Sequence, residues 1–237
     1  MGITASVVGP GWRKGLRTDL GGGPGRNLIT FGLWPGSDSA PTQRQLLAVG
    51  AIDDHVNPAG FNASPPFAPI THALAPDGYW AAKRIARISL RDVVAAVHEA
   101  RMLDPTARTY LLRTLIKRTQ AIVAYWYSQV SPCELKRVSH NVLVMRDEAV
   151  ARAVTQVSDT HYAVEVLDDR GNVLTDVTRF QLPSAQFAVL IPPELASGRD
   201  RLVVRLQAKT RGKPRPRPCY VHVVPSAHGL RVIGIRH

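Results

Sequence analysis

At 237 residues the chain is long enough for one large or two small domains, and its 45% hydrophobic content suffices to bury a core. Its net charge of +12, carried by 24 Arg and 6 Lys against 18 acidic residues, favours polyanions such as nucleic acid, acidic proteins or anionic lipid through a long-range field. Its two cysteines, Cys133 and Cys219, exclude a disulfide framework and a paired-cysteine zinc site, and no apolar run approaches the roughly 18 residues of a helical membrane span.

The charge is uneven along the chain. Residues 1–75 carry +1, residues 76–131 carry +5 and residues 132–237 carry +6. The preference for Arg over Lys also fits a GC-rich coding sequence. No basic segment followed by an apolar core opens the chain, so a cytoplasmic protein without a signal peptide is the default expectation.

Residues 1–75 are predicted to be irregular and rich in Gly and Pro. Gly9-Pro10-Gly11, Gly21-Gly22-Gly23-Pro24-Gly25 and Pro35-Gly36-Ser37 surround one short apolar run, Leu28 to Trp34, which leaves room for a single strand. The glycine cluster lacks the following Gly-Lys-Ser/Thr of a phosphate loop. Pro58, Pro65, Pro66, Pro69 and Pro76 then bar helix and predict extended segments.

Residues 76–137 are predicted to form a helical hairpin. Pro76-Asp77 suits a first helical turn, and Tyr79, Ala82, Ile85, Ala86 and Ile88 recur at helical spacing opposite Lys83, Arg84, Arg87 and Arg91. Ser89 and Asp92 stand at the capping-box offset, which predicts a break there and a second short helix through Val93, Val94, Val97 and Ala100. Asp104-Pro105 signals another start. It opens a helix of about 26 residues with a stripe of Ala107, Leu111, Leu115, Ile122, Trp126 and Val130, widened by Leu112, Ile116, Thr119, Val123 and Tyr127.

After Pro132 the period falls towards two. Tyr162 to Leu167, a turn at Asp168-Asp169-Arg170-Gly171-Asn172, and Val173-Leu174 read as a β-hairpin. Phe187 to Ile191, Leu202 to Ala208, Cys219 to Val224 and Leu230 to Ile235 add further strands. Residues 138–237 are therefore expected to form an antiparallel β-sandwich, and the fold class is α+β.

No complete catalytic or cofactor motif is present, and no cofactor is expected. Asp53-Asp54 with His55 offers acid–base or metal-binding groups, but adjacent residues rarely aim at one centre and a solvated loop accounts for them better. Cys219, His222 and His228 can be drawn as a soft metal site, but positions 219 and 222 on a strand face opposite ways. The sharpest local feature is the run from Lys209 to Pro218, in which Lys209, Arg211, Lys213, Arg215 and Arg217 alternate with prolines and no acid. Proline keeps such a run extended and unpaired, so it reads as a loop between strands that contacts a polyanion or blocks edge-to-edge aggregation. No aromatic is interleaved before Tyr220, which argues against specific RNA reading.

Leu47-Ala-Val-Gly50, Tyr79-Trp80-Ala-Ala-Lys-Arg-Ile85, Leu103-Asp-Pro105 and Tyr110-Leu-Leu-Arg-Thr-Leu-Ile-Lys-Arg118 together resemble a family of large uncharacterised bacterial proteins. In that family a helical hairpin follows a kinase-like region and precedes a β-rich tail. The resemblance covers residues 15–132 well and the tail loosely. It implies that Asp19-Leu20-Gly21 is the counterpart of an Asp-Phe-Gly-like element, with Asp19 at a Mg²⁺ position. Only 18 residues precede Asp19, too few for the phosphate-covering loop, strand lysine and catalytic base of a kinase. The resemblance therefore implies the C-terminal portion of such a protein. The expected function is a non-catalytic interaction or scaffold module biased towards an acidic protein or other polyanion. The alternative is a phosphoryl-transfer remnant that needs a missing N-terminal lobe.

Overall fold

The computed structural model describes residues 49, 52, 54, 56–60, 72–227 and 229–237. The expected strand at Leu28 to Trp34, Asp19, Asp53, His55 and His228 lie outside the described residues. The described chain is mixed helix and strand, with the three long helices first and the strands after them, an α+β arrangement.

Helix α1 spans Ala75–Ile85 and carries Asp77 in its first turn, where a carboxylate offsets the unpaired N–H groups. It ends in turns through Arg87 and Ile88, and α2 spans Leu90–Glu99. The break at Ser89 is made by the capping box read from the sequence. The Ser89 hydroxyl accepts from Asp92 N at 3.1 Å, and the Asp92 carboxylate accepts from Ser89 N at 2.9 Å. The Ser89 hydroxyl, donating to Asp92 Oδ2 at 2.7 Å, and then the Ser89 N–H hold the Asp92 pKa below its ordinary value. Helix α3 spans Pro105–Gln129, and Asp104 Oδ1 accepts from Thr106 N at 2.8 Å at its start.

The buried line on α3 is Ala107, Thr114, Val123, Tyr127 and, just past its end, Val130, whereas Leu111, Leu115, Ile122 and Trp126 of the anticipated stripe are only half-buried. The apolar pattern places the helix correctly but not its most buried face, because Thr114 is buried and polar. On the polar side Lys117 forms an ion pair with Asp54, and Tyr110 donates its hydroxyl to Ile52 O at 2.9 Å.

By contact density the described residues fall into two units. One includes residues 83–123, and the other combines residues 75–82 with 124–237. Eight strands are present among the described residues, all in the second unit. They are β1 (Cys133–Ser139), β2 (Val142–Asp147), β3 (Thr160–Leu167), β4 (Thr178–Gln181), β5 (Gln186–Leu190), β6 (Leu202–Thr210), β7 (Cys219–Ser226) and β8 (Gly229–Arg236). A three-stranded sheet has the order β1-β2-β5 and a five-stranded sheet the order β4-β3-β6-β7-β8, every neighbouring pair antiparallel. Short helices α4 (Glu148–Ala151) and α5 (Pro193–Ala196) lie in the connections.

One apolar core takes side chains from both sheets. Leu143, Met145 and Val189 come from the smaller sheet, and Val164, Leu206 and Val221 from the larger. A polar tie joins the sheets as well, since Tyr162 on β3 donates its hydroxyl to Asp147 Oδ2 at 2.8 Å. The other Asp147 oxygen accepts from Val150 N at 2.8 Å and caps α4. Burial pushes this carboxyl pKa up, against those hydrogen bonds.

The expected pairing of Val173-Leu174 with Tyr162 to Leu167 reduces to one bridge, Leu167 with Val173, and β4 supplies the partner strand instead. The turn between them is as anticipated. The Asp168 carboxylate accepts from Arg170 N, Asn172 N and Asn172 Nδ2, and Gly171 takes φ 87°.

Gly78 of α1 is a packing requirement. A Cβ built on it would lie 2.1 Å from Trp126 Cε3. Replacing an interior helix glycine by alanine ordinarily stabilises by up to about 1 kcal/mol, but overpacking costs about 1–3 kcal/mol, and at this separation the clash wins. Gly78→Ala is therefore expected to lower the denaturation midpoint of the full chain. A midpoint raised or unchanged in urea titration would show that Trp126 moves aside freely.

Candidate functional site

The basic run read from the sequence forms the connection between β6 and β7. Lys209 lies on β6, and Arg211 to Pro218 span the gap to Cys219. All five cations are exposed. Arg211 makes a weak pair with Asp159 at 3.7 Å, and no described carboxylate lies within 4 Å of the other four.

Although proline-rich and exposed, the loop is held at several points. Arg217 donates its backbone N–H to Gln129 O at 2.9 Å, and Arg217 O accepts from Ser131 N at 2.6 Å, which pairs the loop in parallel with Val130 just past α3. Pro216 O accepts from Gln207 Nε2 at 2.7 Å, and Lys213 N donates to Thr210 O at 3.1 Å in a turn where Gly212 takes φ 70°. Hydrogen bonds thus hold the loop's main chain at Arg211, Lys213, Pro216 and Arg217. A cavity of about 20 Å³, room for about one water, opens among Tyr127, Asp147, Thr155, Lys213 and Pro216. The Tyr127 hydroxyl and Thr155 Oγ1 are buried without a hydrogen-bond partner among the described residues.

A second group of titratable side chains converges in the same unit. Tyr79 is buried and donates its hydroxyl to Glu134 Oε1 at 2.9 Å. His237 packs against Tyr79 in a tilted arrangement with ring centroids 4.5 Å apart and places Nε2 3.4 Å from the same carboxylate oxygen, while Nδ1 lies 3.2 Å from Ser131 O. Both ring nitrogens therefore face acceptors, which suits the doubly protonated ring. Burial alone would lower the His237 pKa, but contacts with Cys219 and Glu134 outweigh it and push the pKa up to about 9. Cys133 and Cys219 are free thiols with 0% exposure. Cys219 donates to Cys133 O at 3.7 Å and Cys133 to Ser131 O at 3.7 Å. Burial pushes Cys133 well up, while the Cys133 thiol and then the imidazole pull Cys219 down to about 6, so Cys219 ionises first.

Thiol, imidazole and carboxylate are the ingredients of a nucleophile, its base and an orienting group. Here both sulfurs are closed off from solvent, so the group acts as a buried network that ties β1, β7, α1 and His237 together. Sequence inspection misses it because Tyr79, Glu134, Cys219 and His237 share no local spacing. Cys133 and Cys219, too few and too far apart in sequence for a disulfide framework or a zinc site, read as small core residues or free thiols, and both are buried free thiols.

Cys219 is buried and His222 half-buried, on opposite faces of β7. Among the described residues no three His, Cys, Asp or Glu side chains converge to hold a metal, and no helix is long and apolar enough to cross a membrane. Compared with models of known protein families and with curated proteins, the sequence matches none.

The raised His237 pKa makes stability pH-dependent. The ring's ordinary value is about 6.5, so its contribution is fully present below that pH and is lost as pH rises through about 9. Cys219, held down to about 6 by the Cys133 thiol and the imidazole, contributes with the opposite sign over the same interval and nearly offsets it in wild type. His237→Gln is therefore expected to remove the falling part and leave stability rising with pH. Urea titrations at stepped pH measure it, and a variant slope equal to wild type would refute the assignment to His237.

Proposed function

We propose that this protein is a non-catalytic interaction or scaffold module whose partner is polyanionic, and that the β6–β7 loop is the contact. The observation that carries this reading is the loop itself, with five exposed cations held by backbone bonds and one weak acidic partner among them. A surface loop that served only to prevent strand pairing needs charge and proline but no fixed geometry. Fixed geometry lowers the ordering cost of binding, and proline lowers it further. The surplus of Arg suits phosphate, carboxylate and sulfate, which a guanidinium engages through two parallel hydrogen bonds.

In the same reading, the two sheets are the layers of a β-sandwich, supported by the core they share. Helices α1 to α3 form a helical hairpin with a bent first arm, supported by the turns after Ile85 and before Pro105. Its scaffold role is supported by Ile88, Leu90, Val94 and Leu103, apolar residues left exposed around α2.

Replacement of Lys209, Arg211, Lys213, Arg215 and Arg217 by Ser tests the reading. Wild type is expected to bind heparin and nucleic acid with an affinity that falls steeply with salt, and the variant to lose about 0.7–0.9 of log–log salt slope per cation removed. Unchanged binding across a salt series, measured on immobilised heparin and by fluorescence anisotropy, would defeat it.

A further inference from the structure

The larger sheet has an outer face opposite to its buried one. Tyr162, Val164, Val204, Leu206, Cys219 and Val221 point into the core. The alternate positions therefore point outward. Strand register aligns a row across four of the strands, Glu165 on β3, Arg205 on β6, Tyr220 on β7 and Arg236 on β8. Glu165 pairs with Arg205, and it is the sole acidic residue in all five strands of the sheet. The guanidinium of Arg236 lies over the Tyr220 ring with Cζ 4.9 Å from its centroid. Arg179, opposite Ala163, and Arg231, opposite Val224, extend the positive charge to both edges of the same face, and both are exposed. Next to this row Gly234 is paired with His222, and a Cβ there would meet nothing within 4 Å, which leaves open space beside the ring.

We infer that this face binds single-stranded nucleic acid, with Tyr220 and Arg236 as the platform on which an unpaired base stacks. Glu165 at the β3 end of the row is buried, so the accessible part of the face is at β7 and β8. An aromatic ring beside cations there supplies the two interactions a single strand offers, a π-face and a phosphate for each nucleotide. The cationic loop ends at Pro218, two residues before Tyr220, so phosphates held along the loop bring a base to the ring. An acidic peptide or sulfated sugar answers the charge but has no use for the ring. A paired duplex answers the charge but keeps its bases stacked on one another.

The inference rests on the loop as polyanion contact, and the experiment separates the two. Fluorescence anisotropy of the full chain with oligothymidylate and oligouridylate is compared with heparin binding for wild type, Tyr220→Leu, Tyr220→Phe and the five-Ser loop variant. Tyr220→Leu is expected to weaken oligonucleotide binding about tenfold and to leave heparin binding unchanged, while Tyr220→Phe stays close to wild type. Oligonucleotide affinity that is equal in wild type and Tyr220→Leu overturns the stacking platform even if the loop variant loses binding. Heparin binding indifferent to the loop variant is the separate signature of failure of the loop reading. Tyr220 is half-buried, and circular dichroism of each variant verifies the fold.

Discussion

Ser131 is the joint on which the candidate contact depends. It is fully buried and follows directly on the parallel bridge at Val130, past the end of α3. Its N–H donates to Arg217 O, its hydroxyl accepts from Ala208 N at 2.9 Å on β6, and its carbonyl faces Cys133 and His237. One small polar residue therefore fixes the helix end, the loop, a central strand and the last side chain of the sequence. A buried hydroxyl and peptide unit left unpaired would cost about 1–3 kcal/mol for each group, and here every group is used. Moving any of these elements would break several such bonds at once, which is why the loop can be proline-rich and exposed yet fixed in place.

Charge and order act together in that loop. Five cations close in sequence repel one another, and in a free segment they would spread apart and need ordering on binding. Backbone bonds to Gln129, Ser131, Gln207 and Thr210 hold them before any partner arrives. The repulsion is then borne by the folded domain, and in the proposed complex the fold would supply the ordering and a polyanion the counter-charge. The buried network of Tyr79, Glu134, His237 and the two thiols lies on the other side of Ser131 and contributes to the same anchoring. Its own charge balance, an imidazolium beside a carboxylate, is internal and asks for no ligand.

The helices are legible in the sequence because their ends are written locally. Ser89 with Asp92, and Asp104 with Pro105, are signals of a few residues, and each makes the predicted cap. Strands β3 and β5 to β8 are legible through alternation and β-branched content. Strands β1 and β2 are not, for two physical reasons. Their two-residue turn is His140-Asn141, with His140 in the left-handed region at φ 51°, rather than the glycine-containing pair that marks most such turns. A register shift between Leu135 and Arg137 also breaks the period of two within β1. The turn is fixed instead from outside. Gly229 takes φ 114° with no room for a Cβ against the His140 backbone, and Leu230 N donates to His140 O. Of the candidate site, the loop cations can be read from the sequence, whereas the His237 network and the row through Tyr220 depend on strand order, which no local pattern specifies.

Strand β7 carries one residue of the buried network and one of the proposed contact face. Cys219 faces inward to the thiol and imidazole, and Tyr220 faces outward between Arg205 and Arg236. Because side chains alternate strictly, the residue that fixes the inside also fixes the outside, and a slip of one position would exchange them. Such a slip would bury Tyr220 and His222 in the apolar core and expose Cys219, Val221 and Val223, all now at 0% exposure. Burying an aromatic hydroxyl and an imidazole without partners while exposing three apolar side chains is unfavourable on both counts. The register of β7 is therefore strongly specified, and the position of the Tyr220 ring follows from the packing of the core behind it.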